Sequence, residues 1–336
     1  MNVGIIGCGL IGRKRAAAVR APHRLAAVSD LDQGRAASLA AQHTGCVVVP
    51  APLDVLRRPD IELVVLAATN DALGPLTAAA IDAGKHVIVE KPAARRSAEI
   101  ATLAVAARER GLVVKVGFNH RFHPALLKAR EIWDSGACGP LMFIRGRYGQ
   151  GGRLGMETEW RGNPALSGGG EMLDQGVHLI DLARWFAGDF DHVEGQVSRY
   201  FWDWAVEDNG FALLRTPAGQ VAWLQASCTE WKNMFSFEIY GRDAKLHVEG
   251  LGGSYGVERL SFYRMLPEMG PPETTIYEYP GPDTSWDAEF AHVLMCIERG
   301  LPVSGDLDDA VRALQVVEAL YARSPMYATS PSGAPS

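Results

Sequence analysis

Val3-Gly4-Ile5-Ile6-Gly7-Cys8-Gly9-Leu10-Ile11-Gly12 decides the fold of this chain. An apolar, β-branched run from Val3 to Ile6 reads as a strand. It enters a G-x-G-x-x-G turn, and Arg13 to Val19 continues as a helix. Strand, glycine turn and helix in that order form a dinucleotide-binding βα unit. Gly7 permits the tight turn, Gly9 lets the backbone approach a pyrophosphate, and Gly12 lets helix and strand pack closely. Leu10 and Ile11 complete the loop. The start of the helix offers unpaired N–H groups and a partial positive charge to the phosphates. Eighteen residues beyond Gly12, Asp30 ends a second strand, Leu25 to Ser29. A carboxylate there accepts from ribose hydroxyls and repels a 2′-phosphate, which favours NAD over NADP. Asp30 equally suits a helix N-cap, a place that Asp32 can also take.

Outward from this unit, the pattern repeats. Strands are expected at Glu62–Ala67, His86–Glu90 and Val113–Gly117. Helices are expected around Arg35–Gln42, Leu76–Ala83 and Ser97–Arg110. Alternation at this rhythm predicts a doubly wound parallel sheet, and apolar runs such as Leu63 to Leu66 suit strands covered on both faces. After Phe118 the character changes. Pro124–Trp133 and Met172–Phe186 have helical periodicity. From Val193 to Tyr279 the signals are mostly β, with hairpins at Pro217-Ala218-Gly219 and Gly241-Arg242-Asp243. The expected organisation is an α/β Rossmann domain over residues 1–118, then an α+β domain with a large, mostly antiparallel sheet over 119–323. The Ser-, Pro- and Gly-rich tail 324–336 reads as disordered. A single layer of helices on that sheet leaves its other face for a homodimer or homotetramer.

Composition bounds the function. The 336 residues are 47% hydrophobic and 21% charged, with a net charge of −6. That balance suits a globular chain and argues against a nucleic-acid partner. No apolar run is long enough to span a bilayer. Met1-Asn2 leads directly into a strand pattern, without the features of a signal peptide. The cysteines, Cys8, Cys46, Cys138, Cys228 and Cys296, are odd in number and scattered. They suit free thiols in the cytoplasm rather than a disulfide framework or a zinc site.

Two further motifs carry chemistry. Glu90-Lys91-Pro92 ends an apolar strand, at the edge where open α/β sheets bind ligands. There a lysine can stabilise negative charge developing on a substrate oxygen, although a surface Glu-Lys pair looks the same in sequence. Gly168-Gly169-Gly170-Glu171-Met172-Leu173-Asp174-Gln175-Gly176-Val177-His178 places Asp174 and His178 four apart, on one helix face. An imidazole with a neighbouring carboxylate is a suitable general base. Asp181 could orient it instead. The Asp174/His178 pair lacks a convincing third ligand, so no metal is expected.

Together these motifs resemble the Gfo/Idh/MocA oxidoreductase family over roughly residues 1 to 320. The stretches Ala83-Gly84-Lys85-His86-Val87, Gly117-Phe118-Asn119-His120-Arg121-Phe122 and Trp160-Arg161 add to the likeness. The resemblance implies that Lys91, Asp174 and His178 are catalytic. It also implies that Thr69, Asn70, Glu90, Lys91 and Asn119 line the cofactor, with Trp160 and Arg161 reaching it or the substrate from the second domain. Leu73 and Ala68-Thr69 depart from the family's usual residues. Arg121, Tyr148, Lys91, Asp174 and His178 are expected to bind substrate. Many polar side chains suit a small polyhydroxylated ligand. The activity implied is NAD-dependent oxidation of a secondary hydroxyl of a sugar, sugar derivative or cyclitol, or reduction of the ketone. A redox-neutral enzyme with retained NAD (glycosidase or epimerase type) and a non-catalytic NAD-binding sensor are the rivals.

Overall fold

A computed structural model describes residues 1–327 of the chain. The chain begins with β1 (Asn2–Ile6), α1 (Leu10–Ala18), β2 (Arg24–Ser29), α2 (Gln33–Ala40), β3 (Val47–Val48) and α3 (Pro52–Arg57). It continues with β4 (Leu63–Leu66), α4 (Asn70–Asp82), β5 (His86–Val89), α5 (Leu103–Glu109) and β6 (Val114–Val116). Then come α6 (Pro124–Asp134), β7 (Leu141–Gly149), α7 (Pro164–Ser167) and α8 (Val177–Ala187). Strands β8 (His192–Ser198), β9 (Asn209–Arg215), β10 (Val221–Ser227), β11 (Met234–Gly241) and β12 (Ala244–Glu249) follow. The described chain closes with β13 (Glu258–Arg264), β14 (Glu273–Tyr279), α9 (Ser285–Arg299) and α10 (Leu307–Arg323).

The chain divides into two compact units. The first holds Met1–Asn119 and Ser285–Val311; the second holds His120–Thr284 and the chain from Arg312 onward. In the first unit the strand order is β3-β2-β1-β4-β5-β6, parallel throughout. That is the order of a dinucleotide-binding sheet whose switch point lies between β1 and β4. All four residues of β4 are buried, as expected for a strand covered on both faces. Helix α9 is the difference from the sequence expectation, which assigns all of 119–323 to the second domain. Its Phe290 and Val293 share a core with Val3, Ile5, Val28 and Leu63 of the parallel sheet. Its Glu289, fully buried, accepts from Lys115 Nζ at 2.6 Å and from Arg15. A carboxylate in the middle of an amphipathic helix reads in sequence as its solvent face, which hides this attachment.

In the second unit the sheet order is β14-β13-β12-β11-β7-β10-β9-β8. Neighbours are antiparallel, apart from the parallel pair β7–β10. Both expected hairpins form, as β9–β10 and β11–β12. Helix α6 packs on β12, β13 and β14, and α8 on β7 and β10. Gly146 of β7 admits α8, since a Cβ there would lie 3.3 Å from Leu179. Along the opposite face, paired positions run Leu213, Trp223, Arg145, Glu238, His247, Ser261 and Ile276. Leu213, Trp223, Phe143 and Ile276 are exposed there. Ser324 Oγ donates to the Val197 carbonyl and Tyr327 donates to Glu207, so residues 324–327 are tied to this unit rather than disordered. The rest of the expected tail, 328–336, lies outside the described residues.

On that face Glu238 accepts from Arg145 at 2.7 Å and from Tyr240 at 2.7 Å, and pairs with Lys245 at 2.5 Å. Burial works against its ionisation, but these donors hold its carboxyl at about 2, down from 4.5. A depressed carboxyl adds stability above its unfolded value and loses it as pH falls toward the folded value. The stability gap between the native chain and Glu238→Gln should therefore be full at pH 6 and close as pH falls from 4.5 toward 2. Urea midpoints measured across that range check it; a gap independent of pH would refute it.

Candidate functional site

In the first unit the glycine turn is built as its spacing requires. Gly7 has φ +96°, and a Cβ there would lie 2.2 Å from the Ala67 carbonyl. A Cβ on Gly12 would lie 1.9 Å from the Gly7 carbonyl. Gly9 differs: a Cβ there would meet nothing within 4 Å. The middle glycine thus leaves open space at the head of α1, the geometry a close-approaching pyrophosphate needs. Leu10 and Ile11 begin the helix there, with Leu10 exposed. Asp30 Oδ2 accepts from Cys8 N at 2.6 Å and Oδ1 from Asp32 N at 2.8 Å, so the carboxylate is held beside the turn. Asp32, not Asp30, caps α2 by accepting from Gly34 N and Arg35 N. Burial, reinforced by Asp30, pushes the Cys8 thiol up to about 12, so Cys8 is a neutral wall of the loop.

Thr69 is the N-cap residue of α4, and its hydroxyl donates to Asp71 Oδ1 at 2.6 Å; Asn70 is buried. Asn119, expected to line the cofactor, is buried and donates to Ser285 Oγ at 2.9 Å. Glu90, expected near the nicotinamide, sits in a buried ion network. It accepts from Arg15 Nε at 2.7 Å, and Arg15 also reaches Glu289. A Cβ on Gly117 would lie 2.9 Å from Glu90 Oε2, so this carboxylate is enclosed. Lys91 follows at the end of β5, where it joins Pro92 by a cis peptide bond.

In the second unit, Met172–Gly176 is a π-helical turn that runs into α8. The expected continuous helix is interrupted where Asp174 sits, the position π-bulges often take at functional sites. Asp174 Oδ2 accepts from Arg161 Nε at 3.1 Å, and Arg161 lies 4.6 Å over the Trp160 ring. Asp174 beside it raises the Arg161 guanidinium further. His178, on α8, stacks on His120 with ring centroids 3.8 Å apart and an interplanar angle of 17°. Face-to-face stacking fixes the plane of the His178 ring. Tyr148 closes the cluster, 5.1 Å from His120 and 6.4 Å from His178. Burial and a neighbouring Tyr255 hydroxyl push the Tyr148 phenol well above its ordinary value, so it is a neutral wall.

Arg121 is buried and forms a bidentate pair with Asp181, at 2.8 and 2.6 Å. The pair engages the Arg121 guanidinium and the Asp181 carboxylate with each other. Sequence reading also missed Glu207. Its carboxylate is fully buried and accepts from Gly170 N at 2.8 Å, Met172 N at 3.0 Å and Tyr321 at 2.6 Å, and also from Tyr327. Burial pushes this carboxyl up despite the four donors. Glu207 anchors the backbone just before Asp174, and nothing in the local sequence marks a partner more than a hundred residues away. Glu207→Ala would strand four buried donors and should cost roughly 3 kcal/mol. Glu207→Gln, which keeps one acceptor, should recover part. Urea midpoints for the three proteins check this, and an unchanged Glu207→Ala midpoint would exclude the anchor role.

Among the described residues, no group of three or more His, Cys, Asp or Glu is placed to hold a metal ion, and no helix is long and apolar enough to cross a membrane. Residues 1–118 match the model described as "Oxidoreductase family, NAD-binding Rossmann fold", and residues 126–247 match "GFO/IDH/MocA C-terminal domain". Inositol 2-dehydrogenase 2 of Saccharopolyspora erythraea is 36% identical over 194 residues, 56% of this chain and 54% of that protein. The dTDP-3,4-didehydro-2,6-dideoxy-alpha-D-glucose 3-reductase of Streptomyces violaceoruber is 31% identical over 224 residues, 66% of this chain and 65% of that protein. The chain thus spans about half to two thirds of the curated relatives it matches. A solved levoglucosan dehydrogenase in complex with NADH aligns with TM-score 0.84 at 24% identity, covering 96% of this chain and 98% of that one, and so shares the fold.

Proposed function

Because the chain belongs to the Gfo/Idh/MocA oxidoreductase family, we propose that it is an NAD-dependent dehydrogenase of a secondary hydroxyl on a sugar, sugar derivative or cyclitol, working in either direction. The observation that carries this reading is the open Gly9 turn at the head of α1, with the Asp30 carboxylate held beside it. Gly7, Gly9, Leu10, Ile11 and Gly12 would hold the pyrophosphate, and Asp30 would accept from the adenosine ribose and disfavour a 2′-phosphate. Thr69, Asn70, Lys91, Trp160 and Arg161 would complete the cofactor's surroundings. When bound, NAD would supply the hydride acceptor.

The chain's own residues would manage the proton and the charge. His178 would take the hydroxyl proton through its imidazole, in a ring plane set by His120. Asp174 would favour the protonated imidazole by its charge, while Arg161 holds the carboxylate in place. The Lys91 ammonium would stabilise the negative charge developing on the substrate oxygen. Tyr148 would form a neutral wall of the substrate site.

The test is a panel of polyols, sugars and cyclitols incubated with NAD and followed by NADH absorbance and product mass. NADH with a product two hydrogens lighter supports the reading. Products of unchanged redox state would point to a redox-neutral enzyme, and NAD binding without any turnover to a sensor. The exposed Leu213, Trp223, Phe143 and Ile276 support a homodimer or homotetramer through the second unit's sheet. Light scattering that gave a monomer at assay concentration would oppose it. The five free thiols support a reducing compartment, the cytoplasm. Localisation of a tagged chain outside it would oppose that.

A further inference from the structure

The second unit contains a cleft of about 720 Å³, lined by Glu230, Lys232, Asn233, Ser254, Tyr255 and Arg259 among others. It shares two walls with the imidazole cluster. Tyr255 lies 5.2 Å from Tyr148, whose ring is in turn 6.4 Å from His178. Phe235, another lining residue, lies 5.8 Å from His120, the ring stacked on His178. The cleft and the imidazole cluster thus meet at the Tyr148–Tyr255 and Phe235–His120 ring contacts.

The lining chemistry selects the ligand class. The lining includes hydroxyl, amide, carboxylate and ammonium side chains beside the aromatic Phe235 and Tyr255, the composition that suits a hydroxylated ring. There is no cation surplus to attract a diphosphate. Arg259 already pairs with Glu278 at 2.5 Å, and the two carboxylates Glu230 and Glu249 offset Lys232. An apolar ligand would leave the polar groups of the lining unmatched.

A residue beside the lining in sequence adds an independent signal. Trp231, between the lining residues Glu230 and Lys232, adopts φ +57°, a left-handed conformation that bulky side chains rarely hold. Trp231 is 65% exposed, and the ring of Phe201, itself exposed, meets its ring edge-on at 4.8 Å. Strained backbone that presents an exposed aromatic ring to solvent is a feature folding alone does not favour. Such a pair offers the flat apolar surface on which the C–H face of a sugar ring stacks.

We propose that this cleft is a subsite for a second sugar ring, so that the substrate is a glycoside or oligosaccharide with the oxidised ring at His178 and its neighbour between the 230–235 and 250–257 segments. The proposal rests on the dehydrogenase reading above and deepens its substrate class.

The experiment pairs each methyl glycoside with the disaccharides carrying the same ring, such as methyl glucosides against maltose and cellobiose, with galactose and mannose counterparts. It measures kcat/KM with NAD, and separately disaccharide binding by saturation-transfer NMR. Native protein should prefer at least one disaccharide by about tenfold. Trp231→Gly removes the ring, and glycine tolerates the same φ. It should abolish the preference and weaken the NMR signal, with methyl glycoside kinetics unchanged. Asn233→Ala, which leaves the backbone at 231 untouched, should reduce the preference as well. Turnover with no disaccharide preference would overturn the subsite and leave the dehydrogenase reading intact. Disaccharide binding that depends on Trp231, without turnover on any sugar, would support the subsite and overturn the dehydrogenase. Neither binding nor turnover would overturn both.

Discussion

His178→Ala should lower turnover by about 10²–10⁴-fold while leaving NAD affinity nearly unchanged. The magnitude is that of a removed general base. The separation of effects follows from position. His178 lies on α8 of the second unit, whereas the open turn proposed to hold the pyrophosphate belongs to the first. Loss of the imidazole also removes the ring stacked on His120, so a change in folding must be told apart from lost chemistry. His178→Asn, which keeps a planar polar side chain, serves as that control, and both variants should melt near the native temperature. The diagnostic readout is the pH profile of kcat. The native enzyme should lose activity as the base protonates, and both variants should lose that limb. Native kcat in His178→Ala would remove His178 from the mechanism, and a fall in KM-dependent terms alone would make it a binding residue.

The second large effect is on stability. Glu289→Ala should destabilise the first unit by about 3–5 kcal/mol, the usual cost of removing one partner of a buried ion pair. That corresponds to a fall in melting temperature of roughly 10 °C. Arg15, Lys115, Glu90 and Glu289 are all buried, two cations against two carboxylates. Burial alone would raise the Glu289 carboxyl, but Arg15 and Lys115 hold it below its ordinary value. Removing Glu289 strands net positive charge away from water. The same network joins α1, which carries the glycine turn, to the end of β5, where Lys91 follows. NAD affinity should therefore fall along with stability, although Glu289 is not proposed to touch the cofactor. Glu289→Gln, which keeps an acceptor for each cation, should cost less than the alanine. Thermal melts and NAD titrations of the two variants decide it. A melting temperature within a degree or two of native would show that water reaches the network.

The parts legible in sequence were those whose signals are local. The glycine turn reads directly, because Gly7 and Gly12 face backbone within a few residues or at the neighbouring strand end, and no other residue fits. The hairpins at 217–219 and 241–243 read directly because turn residues and alternation lie side by side. Asp30 was legible as a residue beside the turn, while the fold shows that Asp32, not Asp30, is the helix cap. The Arg121–Asp181 pair was not legible, because its two members lie sixty residues apart. The same holds for the pairing of Glu90, which the family resemblance places near the nicotinamide and whose carboxylate meets Arg15 and an enclosing Gly117.

By itself, then, the order of residues determined the parallel sheet (though not its short edge strand β3), the glycine turn and the family, since each follows from local pattern within short stretches. Tertiary structure alone decided that α9 returns to the first unit, that Asp174 lies on a π-turn anchored through Glu207, and that His178 stacks on His120. The physical reason is that buried charges and stacked rings are satisfied by whichever partner the fold brings near, and sequence separation carries no record of that choice.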